Sequence, residues 1–221
     1  IRFHATNERE SAAIKKYFPK SNIIIADNLP NTNQPEYIGC VKNRGSLNCI
    51  FIARIVAIKN LLFILKILET VKAEILLTIV GPAEDNNYWE ECKQKIATLP
   101  ANIKTTYLGA KQNNELLSLL QKNHLFVLPT TGENFGHAIF ESFLAGRPVL
   151  ISNQTPWLNL QTENVGWDLP LANPELFKEA IEKIAYTDQD EFDVYAKSAW
   201  QYANKFISNP TLKQQYYKLF L

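Results

Sequence analysis

The sequence predicts an α/β fold in which a doubly wound parallel sheet is covered by helices on both faces. Short apolar runs are repeatedly followed by segments in which apolar residues recur at helical spacing. Runs such as 47–53 and 73–81 are continuously apolar, which is typical of strands that are buried on both faces. Strands that alternate with helices pair in parallel, because each helix carries the chain back to the same end of the sheet.

Glycine and proline residues mark the ends of several of these elements. Gly81 and Pro82 stop the run 73–81, Pro100 ends the helix that follows it, and Gly146 with Pro148 closes the helix that starts at residue 136. The predicted strands are 22–28, 47–53, 73–81, 102–109, 124–129 and 147–152. The predicted helices are 7–18, 59–72, 87–100, 113–123, 136–146, 174–185 and 188–206.

Composition and charge exclude several classes of protein. The chain has 221 residues and a formal net charge of +1, with 23 basic and 22 acidic residues, so it does not favour a nucleic-acid partner. No apolar run is long enough to span a bilayer. Cys40, Cys49 and Cys92 have no metal-ligand spacing and are odd in number. They indicate reduced thiols, and we therefore expect a cytoplasmic location.

The beginning of the chain indicates a piece of a longer protein. It has neither an initiator methionine nor an apolar signal segment. The segment 29–40 is rich in proline and asparagine and is the weakest join between predicted elements. We therefore predict a domain boundary there, with residues 1–38 as the tail of a preceding unit and its linker, and residues 39–221 as the main domain.

Ligands of doubly wound sheets bind at the carboxyl ends of the strands, and three loops expected there carry informative residues. In the first loop, Arg54 follows a strand and Lys59 opens the next helix. A lysine is mildly unfavourable beside the positive end of a helix dipole, and an anion held between Arg54 and Lys59 would reverse that effect. On its own, this pattern is more typical of a solvated lysine.

The second loop precedes the helix 136–146. Gly132 and Gly136 leave the backbone uncovered at the helix start, and the free N–H groups there are suited to a phosphate. Glu133 lies in the loop and Glu141 lies within the helix among apolar residues, where a carboxylate usually has donors such as sugar or ribose hydroxyls. The spacing fits equally well a Glu133 that only complements the helix dipole and a Glu141 on the surface.

The third loop begins at Gly109, which ends a strand and is followed by polar residues. It could hold a nucleobase against main-chain groups, and it is equally compatible with an ordinary strand–helix connection.

Other motifs predict structure rather than chemistry. The Asp-x-Asp pattern of TDQDEFD, at 187–193, opens a helix, where Thr187 or Asp188 is a good N-cap. His4, His124 and His137 have no metal-ligand spacing. The segment GPAED lacks the glycines of a dinucleotide fingerprint, and there is no serine elbow or Cys/His pair.

These motifs together resemble the carboxyl-terminal, donor-binding half of a family 4 glycosyltransferase of the GT-B fold. The resemblance covers nearly all of the chain and rests on IARIVAIKNL, IVGPAEDNNYWEEC, LPANIKTTYLG, NVGWDLPL and above all FVLPTTGENFGHAIFESFLAGRPVLISNQTPW. It implies a Rossmann-like domain that binds a nucleotide-diphosphate sugar. The start, FHATNERESAAIKKYFP with NIIIADNLPN, resembles the last strand–helix–strand of the amino-terminal half and the linker.

The resemblance implies catalytic roles for three residues. Arg54 and Lys59 would hold the donor diphosphate and stabilise it as a leaving group, and Glu133 would contact hydroxyls of the transferred sugar. One position departs from the family pattern, because Ala53 stands where the family has a glycine before the arginine. We expect the extra methyl group of Ala53 only to limit how closely the backbone and the donor can approach each other.

The resemblance also implies donor-binding roles for four residues. Asn134, Phe135 and Gly136 would present backbone to the phosphates, and Glu141 would bind the ribose. Gly109 is a further donor-binding candidate, from the pattern of its own loop rather than from the resemblance. The two glutamates would then bind two sugars of one donor, rather than form the acid–base pair of a glycosidase.

The function expected from this resemblance is retaining transfer from a UDP-, GDP- or ADP-sugar to a glycan or lipid-linked acceptor, in polysaccharide biosynthesis. No metal or other cofactor is expected. The amino-terminal half would shape the acceptor site, so this chain alone should transfer little sugar. Peripheral contact with the inner membrane face is an expectation for the longer protein. The alternatives are a non-enzymatic nucleotide-sugar binding module, a GT-B-like epimerase or phosphorylase, and a dehydrogenase, which the missing glycine fingerprint disfavours.

Overall fold

A computed structural model of the protein describes residues 1–6, 8–26, 35–210 and 214. The first residues form a small parallel pair, β1 (Arg2–Ala5) and β2 (Asn22–Ile25), connected by α1 (Glu8–Tyr17). This is the strand–helix–strand that the resemblance implied. The end of the predicted strand 22–28 and most of the predicted linker 29–40 lie outside the described residues, and the domain boundary stays a prediction.

The described part of the chain from residue 46 to residue 207 contains a sheet of six parallel strands: β3 (Ser46–Ile52), β4 (Glu74–Val80), β5 (Ile103–Tyr107), β6 (Leu125–Leu128), β7 (Val149–Ser152) and β8 (Gly166–Leu169). Its helices are α2 (Leu61–Leu68), α3 (Asn86–Ala97), α4 (Asn113–Gln121), α5 (His137–Leu144), α6 (Pro174–Ala185) and α7 (Gln189–Ile207). None of the described helices combines the length and the apolarity needed to cross a membrane.

The strand order is β5-β4-β3-β6-β7-β8, which is the doubly wound Rossmann order. Helix α2 packs against α3 and α6, and helix α5 packs against α4 and α7. Right-handed crossovers place the helices that follow β3 and β6 on opposite faces of the sheet. The predicted fold class is therefore confirmed.

Two of the predicted elements need correction, and one strand was missed. The helix predicted at 59–72 spans only Leu61–Leu68, because Asn60 adopts a left-handed conformation with φ of 60° and interrupts it. The strand predicted at 73–81 is not buried on both faces along its whole length, since Glu74 and Leu76 are exposed. Strand β8 was not predicted, because its four residues, GWDL, contain one glycine and one aspartate and lack a continuous apolar run.

The predicted caps and thiols agree with the structure. Asp188 is the N-cap of α7, and its side chain accepts a hydrogen bond from the Glu191 backbone at 2.9 Å. TDQDEFD is therefore a capping motif, as predicted. Cys40, Cys49 and Cys92 are free thiols.

Candidate functional site

A crevice is expected where the strand order reverses, between β3 and β6. These neighbouring strands are paired only at Cys49 with Leu125 and at Ile50 with Phe126. Beyond that point β3 continues beside β4 as far as Ile52, whereas β6 continues beside β7. The carboxyl ends of the two strands therefore separate, and the loops that follow them line the opening.

Two threonines connect these loops across the opening. The Thr131 backbone N–H donates to the Ile58 carbonyl at 2.9 Å, and the buried Thr130 hydroxyl lies 3.0 Å from the same oxygen. The carbonyl of Thr130 in turn accepts a hydrogen bond from the Ser152 hydroxyl. These residues were not predicted from the sequence, although polar residues directly after an apolar strand are a usable signal for this edge of a sheet.

Lys59 and Glu133 form an ion pair between the loops that follow β3 and β6. Lys59 Nζ lies 2.5 Å from Glu133 Oε2, and the two side chains are only 15% and 18% exposed. The prediction that Lys59 opens helix α2 is wrong. Lys59 ends a 3-10 turn, Ala57–Lys59, and the left-handed Asn60 separates that turn from α2. The structure thus joins two predicted residues whose contact the sequence did not reveal.

The start of α5 has backbone N–H groups that precede the first hydrogen bond of the helix. Gly136 is its N-cap with φ of 79°, and none of the described side chains caps the helix. The first helical hydrogen bond runs from the Phe140 N–H to the Gly136 carbonyl, so the N–H groups of 137–139 precede it. A Cβ at Gly136 would lie 2.7 Å from Ile139 Cδ1 and 3.1 Å from Glu133 Cγ, which accounts for glycine at this position. Gly132, by contrast, has open space around it.

Glu141 lies one turn into α5 and is half-buried. Burial raises the pKa of its carboxyl above the ordinary value. Among the described residues, no hydrogen bond or ion pair is formed by its side chain. A carboxylate in such a position gains from a ligand that brings hydroxyl donors.

Arg54 is held apart from the Lys59 pair. Its guanidinium lies 2.9 Å from Glu84 Oε2 in the loop after β4, and both side chains are well exposed. The structure therefore places Arg54 at the carboxyl end of β3, as predicted, but directs it towards β4. Glu84 was not predicted as its partner, because the two residues are 30 positions apart.

The loops after β3, β4 and β5 approach one another through their backbones. The Gly81 N–H donates to the Gly109 carbonyl at 2.8 Å, and the Tyr107 hydroxyl donates to the Gly81 carbonyl at 3.0 Å. A Cβ at Gly81 would lie 1.9 Å from the Ala53 carbonyl oxygen, so only glycine fits. Gly109 itself has φ of 67°, and a Cβ at this position would have nothing within 4 Å. The main chain at Gly109 is thus fixed while its surroundings stay open.

The remaining predicted residues, Asn134 and Phe135, differ in exposure. Asn134 is exposed, whereas Phe135 is buried with its ring 5.3 Å from that of Trp157. The Trp157 indole N–H donates to the Phe135 carbonyl. Phe135 can therefore contact a ligand through its backbone rather than through its side chain.

One of the histidines, His124, is engaged by backbone groups on both sides of its ring. His124 is buried, where its Nδ1 accepts from the Asn48 N–H at 2.9 Å and its Nε2 donates to the Val41 carbonyl at 2.9 Å. Over the part of the chain that the structure describes, no group of three or more His, Cys, Asp or Glu residues is arranged to hold a metal ion.

This arrangement combines the cations of Lys59 and Arg54 and the N–H groups at the start of α5 with the carboxylates of Glu133 and Glu141; a third carboxylate, that of Glu84, pairs with Arg54. The cations and N–H groups suit an anion such as a diphosphate, and the carboxylates accept from hydroxyl groups. Fold and site together define a doubly wound, Rossmann-like domain whose crevice is equipped for an anionic, polyhydroxylated ligand. A sequence model of the family described as "Glycosyl transferases group 1" matches residues 41–199. The chain belongs to this family.

Solved structures show the same fold. Staphylococcus aureus TarM, crystallised as a mutant with fondaparinux, alpha-GlcNAc-glycerol and UDP, has a TM-score of 0.76 at 15% identity, over 98% of this chain and 43% of its own. Anabaena HepE with UDP and glucose has a TM-score of 0.70 at 17% identity, over 98% and 62%. The catalytic domain of Helicobacter pylori cholesterol-alpha-glucosyltransferase has a TM-score of 0.59 at 18% identity, over 72% and 98%.

These likenesses place the domain in the GT-B class of Rossmann-like folds. The chain spans 43–62% of the length of the first three solved structures that it matches, TarM, WaaG and HepE. No curated protein sequence matches it.

Proposed function

We propose that this chain is the donor-binding half of a retaining glycosyltransferase and that it binds a UDP-sugar between β3 and β6. The observation that carries the proposal is the Lys59–Glu133 ion pair beside the uncapped start of α5, at the point where the strand order reverses. Membership of the glycosyltransferase group 1 family supports it. UDP is favoured over GDP and ADP because TarM, HepE and the pneumococcal GtfA were all crystallised with UDP.

The diphosphate would lie against the start of α5. The N–H groups there and the partial positive charge of the helix end would bind the phosphate oxygens. Lys59 and Arg54 would each leave their carboxylate partners, Glu133 and Glu84, and turn to the phosphates. Fixed cations and N–H groups stabilise the charge that develops on a departing diphosphate, which is the main contribution expected of this half to catalysis.

The two glutamates would bind different parts of the donor. Residues 133–136, directly before α5, form the phosphate-binding turn of this proposal. Glu141 lies on α5 next to this turn, so its carboxylate would accept from the ribose hydroxyls. Glu133 lies before the helix, and once Lys59 has moved it would accept from hydroxyls of the transferred sugar. The fixed and open main chain at Gly109 is suited to the base. The backbone of residues 134–136 would line the phosphates.

Calorimetry with UDP, GDP and ADP tests the binding site. Arg54→Ala and Lys59→Ala should each weaken UDP binding by roughly tenfold to a hundredfold, which corresponds to the roughly 1.5–3 kcal/mol of a charge-assisted contact. Uridine, which has no phosphate, should bind both variants as it binds the natural chain. Equal losses for uridine and UDP, or no binding of UDP to the natural chain, would overturn the assignment.

The variants Glu141→Gln and Glu133→Gln distinguish the proposed ribose contact from the proposed contact with the transferred sugar. Glu141→Gln should weaken UDP and the UDP-sugar alike. Glu133→Gln should leave UDP binding intact and reduce transfer from the UDP-sugar. Equal weakening of UDP by both variants would show that the donor lies differently in the crevice.

The reaction itself requires the complete natural chain. We propose a glycan or lipid-linked acceptor in polysaccharide biosynthesis, retention of the anomeric configuration, and no requirement for a metal ion, because Lys59, Arg54 and the N–H groups of α5 would together neutralise the phosphates. Proton NMR of the product reports its anomeric configuration. Activity that is lost in EDTA and restored by Mg²⁺ or Mn²⁺ would contradict metal independence. The free thiols support a cytoplasmic location, and we further propose peripheral contact with the inner membrane face.

A further inference from the structure

We infer that Trp157 is a positioning residue, whose indole N–H holds the phosphate-binding turn at the start of α5 in its ligand-ready orientation. The inference rests on the proposed function, since it concerns the same site. Trp157 lies 22 residues after Phe135, in the loop that follows β7, and its N–H donates to the Phe135 carbonyl. Phe135 is the residue immediately before the N-cap Gly136.

The geometry of the peptide unit links this hydrogen bond to the ligand side. The Phe135 carbonyl and the Gly136 N–H belong to one peptide plane, and in a trans peptide they point in opposite directions. Because the carbonyl is directed at the buried indole, the Gly136 N–H is directed away from it. Trp157 thereby fixes the rotation of the peptide that leads into α5. Without the bond, this glycine-flanked peptide has more freedom to rotate.

The indole is itself held firmly. Trp157 is 4% exposed, and its ring contacts those of Phe140 at 5.7 Å, Phe143 at 5.6 Å and Phe206 at 5.2 Å. Its backbone N–H donates to the Thr155 hydroxyl at 3.2 Å. The ring therefore cannot follow a movement of the turn, and it acts as a fixed donor.

The loop that carries Trp157 is also attached to the other end of the phosphate-binding turn. The Glu133 N–H donates to the Gln154 carbonyl at 3.1 Å. The turn is thus attached at Glu133 and at Phe135 to one short segment, 154–157. Both attachments are made through backbone atoms of the turn, which leaves the Glu133 carboxylate available to Lys59 or to a ligand.

Trp157→Phe tests the inference, because it keeps an aromatic ring in the cluster and removes the N–H. UDP should bind this variant about tenfold more weakly, corresponding to about 1.4 kcal/mol, whereas uridine should bind as before. A purely structural role would change both ligands or neither. Trp200→Phe is the matched control, since the Trp200 indole N–H donates to the Pro35 carbonyl at 3.0 Å, away from the crevice. It should leave UDP binding unchanged.

A second variant keeps the test decisive if Trp157→Phe does not fold. Benzothienylalanine at position 157 preserves the shape of the indole and lacks its N–H, and it should give the same selective loss of UDP affinity. Unchanged UDP affinity in either folded variant overturns the inference. If Arg54→Ala and Lys59→Ala still weaken UDP in that case, the proposed function stands without it.

Discussion

The Lys59–Glu133 ion pair can be compared with a second ion pair of the same length in a different environment. Lys93 Nζ and Glu90 Oε1 on α3 are also 2.5 Å apart, but their side chains are 47% and 61% exposed, against 15% and 18% for Lys59 and Glu133. The two ion pairs therefore have the same N···O distance and differ in their exposure to solvent. Replacing Glu133 or Glu90 by glutamine removes the negative charge and keeps the size of the side chain.

The expected loss of stability follows from this difference. At an effective dielectric constant of about 20, charges at this separation attract by roughly 6–7 kcal/mol, and desolvation and side-chain ordering offset most of it. A charge-assisted hydrogen bond contributes about 1 to 1.5 kcal/mol more than a neutral one. Glu133→Gln should therefore cost about 1.5 kcal/mol, or roughly 3–6 °C in the melting temperature of a chain of this size. Glu90→Gln should cost only about 0.3 kcal/mol, because surface pairs contribute little.

The same substitution has the opposite effect on a phosphate ligand. In the absence of a ligand Glu133 holds Lys59, and a diphosphate must compete with it. The Glu133→Gln variant should therefore bind UDP at least as tightly as the unsubstituted chain. In the complete protein the same substitution should lower sugar transfer by about tenfold to a hundredfold, because a sugar hydroxyl loses its charged acceptor.

Thermal unfolding and calorimetry with UDP measure both effects on the same samples. The reasoning is refuted if Glu133→Gln and Glu90→Gln lower the melting temperature equally, since burial would then not control the strength of the pair. It is refuted for the ligand if Glu133→Gln weakens UDP binding, since Glu133 would then help to hold the diphosphate.

Three further predictions concern single charged or titratable residues. Glu84→Gln should free Arg54 and tighten UDP binding by about twofold to fivefold at low ionic strength, the size of an exposed ion pair, and an unchanged affinity would show that Arg54 does not need to leave Glu84. Because burial raises the pKa of Glu141, its charge makes folding less favourable as the pH rises through that pKa. Glu141→Gln should thus raise the melting temperature at pH 7, and the gain should disappear as the pH falls below the ordinary pKa of a glutamate; a lower melting temperature at pH 7 would contradict this. Burial is the main cause that lowers the pKa of His124 to about 4, so stability should be lost as the pH falls from about 6.5 through 4, by roughly 2 kcal/mol at pH 5. Urea unfolding at pH 7.5 and pH 5 should show a smaller pH dependence for His124→Gln, whatever its absolute stability, and an equal dependence would exclude His124 as the cause.

The sequence by itself determined the parallel sheet, because its signals are local. Continuous apolar strands, helical spacing and Gly–Pro stops each depend on neighbouring residues. The N-cap Asp188 and the bare glycine Gly136 were readable for the same reason, since a cap and the turn it stabilises lie within a few positions of each other. Where the local signal was weak or misleading, the prediction failed. Asn60 interrupted a run that looked helical, and β8 carries too few apolar residues to be recognised.

The partners of the site residues were decided only by the tertiary structure. Lys59 pairs with Glu133, 74 positions later, and Trp157 reaches back to Phe135 from the loop after the next strand. Both contacts exist because β3, β6 and β7 end at the same edge of the sheet, although they are far apart in sequence. Residue type and spacing identified which side chains could bind a ligand. The strand order alone fixed which of them face one another, because it sets the distance between loops that the sequence presents only one after another.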